Sequence, residues 1–308
     1  MLLSGPRLPL TSIVDKGKTL AGIGFGLGAY GIWGFFPLFF RQLGHVSPAD
    51  VLCNRALWGC VLVSLILTVR RGWPKVGSAA RQPGNVLRLA VAGLLVGSNW
   101  LGFLWAVDQR LVIAGSLGYF LVPLVNVLLG MLVLKERLNG KEWAAVGLAV
   151  AAVGNEFIAL GSLPWVSLFL GGTFGLYGLV RKQVRVDAVS GLWLETLSML
   201  PLVGAYALWQ GRQGHAVFTG HDGLTDFLLA MSGVMTALPL MLFAAATQRL
   251  NLATVGMLMY INPTMQLLTA VWIFGEELQP ARLLTFGLIW AGLLCYSWAG
   301  WEKYRQAA

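Results

Sequence analysis

Ten apolar segments, most of them close to 20 residues long, constrain this chain more than any other feature of its sequence. A helix needs about 20 apolar residues to cross a hydrocarbon core roughly 30 Å thick, and the segments lack the period-2 alternation of a membrane β-barrel. Only 11% of the 308 residues are charged, which is too few to keep such a chain in water. We therefore predict an all-α integral membrane protein with ten transmembrane helices. The predicted segments are 20–40, 49–69, 86–107, 111–134, 141–160, 164–180, 189–209, 224–247, 252–274 and 282–300.

The distribution of Lys and Arg predicts the orientation, because these residues concentrate in cytoplasmic loops. With the N-terminus inside, seventeen of the 22 Lys and Arg residues fall on the cytoplasmic side and four fall outside. We therefore expect both termini in the cytoplasm and attribute the net charge of +9 to topology rather than to nucleic-acid binding. The four outer cations are Arg41, Arg110, Arg212 and Arg282.

The sequence gives no sign of a metal, disulfide or nucleotide site, so no cofactor is predicted. All three cysteines lie inside apolar segments, and all three histidines lie in outer loops without the spacing of metal ligands. A Walker A motif is missing, so ATP-driven pumping has no support. The residues in question are Cys53, Cys60, Cys295, His45, His215 and His221.

The two halves of the chain resemble each other at an offset of about 140 residues. Pro123 then aligns with Pro263 and Glu136 with Glu276, while residues 30–34 align with 174–178 at an offset of 144. Each half holds five predicted spans, an odd number, so the halves enter the membrane in opposite directions. We predict two inverted five-helix repeats, 20–160 and 164–300. Such repeats with proline-interrupted helices are typical of secondary transporters.

Six stretches of the sequence carry a resemblance to a known family. They are Tyr-Gly-Ile-Trp-Gly-Phe-Phe-Pro (30–37), Asn-Arg-Ala-Leu-Trp (54–58), Gly-Ser-Asn-Trp-Leu-Gly-Phe-Leu-Trp-Ala-Val (97–107), Ser-Leu-Gly-Tyr-Phe-Leu-Val-Pro-Leu (116–124), Gly-Leu-Val-Arg-Lys (178–182) and Leu-Glu-Thr (194–196). With these stretches the chain resembles the RarD-type permeases of the EamA branch of the drug/metabolite transporter superfamily. It implies a five-plus-five helix fold in the bacterial inner membrane and the export or exchange of small metabolites or drugs, with a loose association with chloramphenicol. The family often has Glu where Ala114 stands and Asn where Val122 stands, so a substrate does not carry over.

Charged residues inside the predicted spans are the leading site candidates, because each costs about 2.5–3.5 kcal/mol at the centre of a helix. Arg55 lies about 10 Å below the outer end of the second span. We interpret it as a clamp for an anion or carboxylate, with a structural ion pair to Glu156 as the alternative. Its repeat equivalent, Glu195, is predicted to bracket a midplane cavity as a proton or substrate-cation partner. The alternative is a carboxylate that holds Arg181 or Lys182.

Aromatic and amide side chains within the spans suit the walls of a cavity for an organic solute. Trp and Tyr also anchor helices at membrane interfaces, which is the alternative for these residues. The candidates for substrate contact are Tyr30, Trp33, Asn99, Trp100, Tyr119 and Tyr260, and Asn126 and Gln266 also lie within spans.

Two prolines and two glutamates are the candidates for moving parts. Pro123 and Pro263 each remove one backbone hydrogen bond, which favours either paired hinges for alternating access or fixed kinks. Glu136 and Glu276 lie at helix ends, where they act either as gate groups or as surface caps.

Together these features predict a secondary active transporter that moves a small organic solute, such as an amino acid, a metabolite or an amphenicol-like drug, by alternating access. Proton antiport through Glu195 and simple exchange both stay open. A non-transporting receptor or scaffold is the alternative. A polytopic membrane enzyme is the least favoured alternative, because it would need a nucleophile–base pair or metal ligands at membrane depth and no predicted span holds a His. The expected partners are the solute and the lipid bilayer, and the protein could be a monomer or a homodimer.

Overall fold

The computed structural model describes residues 16–134, 140–184, 186–220, 222–247, 249–250 and 258–307, and in this part of the chain the structure is helical. Eight stretches are long and apolar enough to cross a membrane. They correspond to predicted spans one to five, seven, eight and ten. The helices are α1 (Lys16–Gly34), α2 (Phe36–Arg41), α3 (Pro48–Val69), α4 (Trp73–Arg81), α5 (Asn85–Asp108), α6 (Val112–Leu134), α7 (Gly140–Leu160), α8 (Trp165–Lys182), α9 (Ala188–Arg212), α10 (Gly223–Thr247), α11 (Ile261–Leu268), a π-helical turn (Thr269–Ile273) and α12 (Pro280–Ala307).

The sixth and ninth predicted spans correspond to elements outside these eight. Helix α8 occupies the sixth position, but its 18 residues end in Arg181 and Lys182, which lowers its mean hydropathy. The described part of the ninth position is α11 with the π-helical turn, which together are too short to cross a bilayer.

The bundle buries a core that is shared by both halves of the chain. Helix α1 packs on α10 and α11, and α8 packs on α5 and α6. Helix α3 contacts α9 and α10, while α7 lies against α12 at the edge of the bundle. Large apolar side chains cover the outer surface; Ile158 is 79% exposed and Leu294 is 72% exposed. A surface of this kind belongs in lipid, so the chain is a multi-pass membrane protein.

A break in the first span brings aromatic side chains into the bundle. Helix α1 ends at Gly34, and α2 begins at Phe36 after Phe35 adopts φ −88° and ψ 0°. Pro37 cannot donate a backbone hydrogen bond, which favours a new helix start at this point. Gly34 lies so close to Met265 that a Cβ there would come within 2.6 Å of its side chain. Irregular backbone at membrane depth is tolerated where it lines a cavity.

The two aligned prolines occupy different positions in their helices. Pro123 lies inside α6, which continues past it to Leu134. Pro263 lies in the first turn of α11, where a backbone N–H has no intrahelical acceptor. Pro263 therefore removes no hydrogen bond from the interior of α11.

Candidate substrate site

A cavity of about 210 Å³ lies at the centre of the bundle, between helices from both halves of the chain. It brings together seven of the eight residues predicted to contact a solute, and Pro263 and Gln266 also line it. The seven are Tyr30, Trp33, Arg55, Asn99, Trp100, Tyr119 and Glu195.

Tyr260 is the exception, and its predicted place in the cavity is wrong. It lies in the turn before α11 and packs against the main apolar core rather than lining the cavity. Its hydroxyl lies beside Ser297 of α12.

Arg55 is enclosed by aromatic rings. Its guanidinium carbon lies 4.1 Å from the ring centroid of Trp100, 5.2 Å from that of Phe36 and 5.3 Å from that of Phe40. Its Nε donates a hydrogen bond of 2.7 Å to Thr236 Oγ1, and the side chain is 2% exposed. Its Nη1 is buried and has no partner in the described parts of the chain. Arg55 is therefore a desolvated cation with a donor to spare.

The predicted alternative for Arg55, an ion pair with Glu156, is wrong. Glu156 Oε1 lies 3.0 Å from Arg282 Nε, and Glu156 Oε2 accepts a hydrogen bond of 3.1 Å from Thr285. These contacts lie between α7 and α12, which places the carboxylate in a helix interface away from the cavity. Within the described ranges, no carboxylate lies within ion-pair distance of Arg55.

Glu195 lines the cavity and also makes the contact that was predicted as its structural role. Its Oε1 lies 3.1 Å from Arg181 Nε, and its Oε2 accepts a hydrogen bond of 3.3 Å from the Tyr177 hydroxyl. The Arg181 guanidinium packs against Gly191, so a side chain at that position would have to displace it. The negative charge of Glu195 is thus balanced by Arg181, and the positive charge of Arg55 is not balanced.

Amide side chains fix the walls of the cavity. Asn99 is fully buried, and its Nδ2 donates to the Leu170 carbonyl (2.8 Å) and to Thr173 Oγ1 (2.9 Å), while its Oδ1 accepts from the Tyr119 hydroxyl (3.0 Å). This network ties α5, α6 and α8 together. On the other side, Gln266 donates to Asn262 Oδ1 (2.8 Å), and its own Oε1 is buried with no partner in the described structure.

Several lining residues were missed by the sequence analysis, and the repeat would have found some of them. Tyr177 is the equivalent of Trp33 at offset 144, and Asn262 is the equivalent of Val122 at offset 140. Thr236 and Phe36 carry no such signal, because a lone Thr or Phe in an apolar span is ordinary. Asn126, which the sequence analysis placed within a span, is exposed and does not line the cavity.

Glu276 caps the start of α6. Its Oε1 accepts a hydrogen bond from the Val112 backbone N–H (2.8 Å) and its Oε2 accepts one from Ile113 (2.9 Å). A carboxylate at this position satisfies two free donors at a helix N-terminus. Burial raises the pKa of the Glu276 carboxyl more than these hydrogen bonds lower it. Its aligned partner, Glu136, lies outside the described residues.

The arrangement can hold a small solute that carries a negative charge. The Arg55 guanidinium offers a free donor, Gln266 offers a free acceptor, and the rings of Tyr30, Trp33 and Phe243 contact one another at centroid distances of 5.5–6.0 Å. In the ranges that the structure describes, no cluster of His, Cys, Asp and Glu could hold a metal ion.

Comparison with known proteins identifies the family. The profile of the EamA-like transporter family matches residues 20–154. An uncharacterized transporter of Vibrio cholerae is 40% identical over 95% of this chain and 97% of its own length. A protein RarD of Salmonella typhi is 38% identical, with 92% of this chain and 96% of the relative covered. This chain belongs to the EamA-like transporter family, in its RarD branch.

More distant similarities agree with this assignment. A Pseudomonas aeruginosa protein that carries the name chloramphenicol-sensitive protein RarD is 30% identical over 93% of this chain and 97% of its own. A solved crystal structure superposes with a TM-score of 0.57 at 20% identity, covering 91% of this chain and 96% of that chain. This likeness shows the shared fold. Membership in the family makes the chain a multi-pass transporter of the bacterial inner membrane.

Proposed function

We propose that this EamA family member is a secondary active transporter that moves a small organic solute across the inner membrane by alternating access, with Arg55 as the clamp for an anionic group of the solute. The observation that carries the proposal is the charge state of the cavity. Arg55 is 2% exposed, has no carboxylate partner among the described residues and keeps one donor free. A buried cation without a counter-ion is destabilising, and a bound carboxylate would supply that counter-ion bidentately.

The packing of the helices supports two inverted repeats, 20–160 and 164–300. If α1 is paired with α8, α3 with α9, α5 with α10, α6 with α11 and α7 with α12, the contacts of one half mirror those of the other. The contact of α1 with α10 then corresponds to that of α8 with α5, and the contact of α3 with α10 corresponds to that of α9 with α5. In this scheme α8 and α11 complete the ten spans, with both termini in the cytoplasm.

The lining of the cavity supports the same scheme. Arg55 faces the cavity from one half and Glu195 from the other, at offset 140, as do Phe103 and Phe243. A cavity built from equivalent positions of two inverted halves can open to either side when the halves rock about it. Pro123, inside α6, would act as a hinge in this motion. Glu276, which caps the start of α6, and its aligned partner Glu136 would act as gate groups.

Counterflow in proteoliposomes tests the proposal. Vesicles with purified protein are preloaded with an unlabelled solute and diluted into its labelled form, using amino acids, carboxylate metabolites, amines without the carboxylate and an amphenicol. We expect accumulation of a solute that bears a carboxylate, and loss of accumulation in Arg55→Gln. Arg212→Gln, an exposed cation predicted on the outer side, is the matched control and should transport normally.

The other outcomes decide between the alternatives. Accumulation of the amines or of the amphenicol alone, unchanged in Arg55→Gln, would contradict the anion clamp. Silence across the panel for a folded protein would favour the non-transporting receptor or scaffold. A dependence of accumulation on a pH gradient would favour proton coupling over exchange, and sizing of the purified protein would separate a monomer from a homodimer.

A further inference from the structure

A second cavity, of about 330 Å³, lies where α2 passes into α3, at the end of the bundle that the charge distribution assigns to the outside. Its charged and ionisable lining comes from Arg41, His45, Asp108 and Arg110. Two of the four outer cations therefore line one cavity, in a chain that places few cations on that side.

The charges of this outer cavity leave a cation free. The side chain of Arg110 makes no hydrogen bond or ion pair with the described part of the chain. Arg41 stacks on the Phe274 ring at 5.0 Å, and the carboxylate of Asp108 accepts a hydrogen bond from the Gln109 side chain. His45 hydrogen-bonds the Thr225 hydroxyl (2.9 Å), which is bound in turn to a carboxylate oxygen of Asp222. Of the side chains that line this cavity, two carry a permanent positive charge and one a negative charge. The Glu276 carboxylate does not line the cavity but also interacts with Arg41, so Arg110 is the cation that no carboxylate of the described residues pairs with.

The outer cavity lies directly above the central cavity. Val51 lines the outer cavity and Arg55 the central one, four residues apart on α3. Leu104 and Trp100 have the same relation on α5. Four residues of helix rise about 6 Å, so the two cavities are stacked about one helical turn apart on the same helices.

The ring of Phe40 lies between the two cavities. Phe40 lines the outer cavity, and its ring centroid lies 5.3 Å from the guanidinium carbon of Arg55 in the central cavity. Its ring also contacts that of Phe36, at a centroid distance of 5.4 Å, and the side chain is 4% exposed. Phe40 belongs to α2, a six-residue helix that follows the interruption of the first span at Phe35.

We propose that the outer cavity is a second binding site on the transport path, a vestibule that holds an organic anion by Arg41 and Arg110, and that Phe40 is the partition between this site and the Arg55 clamp. The proposal rests on the proposed function for the identity of the anion, since both sites would take the same solute. Cations in a concave site raise the local concentration of anions and their rate of entry.

Thiol labelling tests the vestibule without any transport. The variant Leu104→Cys is treated with two membrane-impermeant methanethiosulfonate reagents, one anionic and one cationic, added outside right-side-out vesicles. The reaction rate of each reagent is divided by its rate with a free thiol in solution. Wild type supplies the background from Cys53, Cys60 and Cys295. We expect the anionic reagent to react about tenfold faster than the cationic one. Adding Arg110→Gln or Arg41→Gln should reduce that ratio, and adding Arg212→Gln should leave it unchanged. Equal normalised rates for the two reagents, or a ratio that neither Arg41→Gln nor Arg110→Gln changes, would overturn the vestibule.

The partition is tested in the same way at a deeper position. Val96 lines the central cavity. We expect Val96→Cys to react from outside several-fold faster when Phe40→Ala is added. Phe40→Leu keeps more of the side-chain bulk and should give a smaller increase. An unchanged rate in folded Phe40→Ala protein would overturn the partition. Because labelling requires no flux, a silent counterflow assay would count against the proposed function alone.

Discussion

Two buried charged sites in this bundle differ in how their charge is balanced. At the edge, Glu156 is 1% exposed and contacts both Arg282 and Thr285, so each oxygen has a partner. At the centre, Arg55 is buried to the same degree, has Thr236 and aromatic rings around it, and leaves Nη1 unpaired in the described structure.

The difference indicates what each site is for. Breaking a satisfied pair leaves an uncompensated charge, so Glu156 and Arg282 contribute to holding α7 against α12. The unpaired charge of Arg55 does not hold two helices together in this way, and it lowers the stability of the protein without bound solute. We therefore expect a solute to supply the partner of Arg55. A substitution at Arg55 should reduce transport without reducing stability, whereas a substitution at Glu156 should reduce stability without reducing transport per folded molecule.

The largest expected effect is the loss of flux in Arg55→Gln. Removing one member of a buried charge pair between protein and ligand costs about 2–5 kcal/mol, and 1.4 kcal/mol is tenfold, so flux at low solute concentration should fall at least about 30-fold. Because the empty site loses a desolvated charge, the melting temperature should stay the same or rise. Counterflow and thermal unfolding in detergent, on one preparation, measure both. Normal flux, or a large loss of stability, would contradict a ligand-binding role.

Glu156→Ala should give the opposite pattern. It leaves the partly buried Arg282 side chain, which is 16% exposed, without its carboxylate, so we expect a loss of about 3 kcal/mol in the free energy of unfolding. Flux per folded molecule should not change. The double variant Glu156→Met with Arg282→Met removes both charges and should recover most of the stability. If the double variant is as unstable as the single one, packing rather than charge explains the loss.

Sequence patterns predicted the positions of the eight spans that the described structure shows, because hydropathy and helix length act locally. They also predicted seven of the residues that line the cavity, since a polar or aromatic side chain in a membrane-spanning helix has few favourable positions other than the protein interior. They could not assign partners. Glu156 and Arg55 lie at similar predicted depths, and only the packing of α7 on α12 directs the carboxylate to Arg282 instead. Tyr260 was misplaced for a similar reason, because only the packing directs its side chain to the apolar core, where its equivalent in the first half, Phe120, also lies.

Glu195→Gln probes the second charge of the cavity. This charge differs from that of Arg55, because the ion pair with Arg181 already balances it. If Glu195 carries a proton during transport, flux in wild type should vary with external pH and the variant should show a flat profile. Arg181→Gln is the matched control, since it removes the same ion pair and keeps the carboxylate. An unchanged pH profile in Glu195→Gln, with similar destabilisation in both variants, would leave Glu195 only the structural role of holding Arg181.

The smallest expected effect is that of Tyr119→Phe, which separates the walls of the cavity from the clamp. The Tyr119 hydroxyl donates to Asn99 Oδ1 and is thereby used within the protein. Its removal leaves a fully buried acceptor without that donor, so the free energy of unfolding should fall by about 1 kcal/mol. Flux should change little, because the Tyr119 hydroxyl proton is donated to Asn99 and is not available to an anionic solute. A strong rise in the half-saturating solute concentration at unchanged stability would instead make Tyr119 a direct ligand, and the clamp would then include a neutral donor beside Arg55.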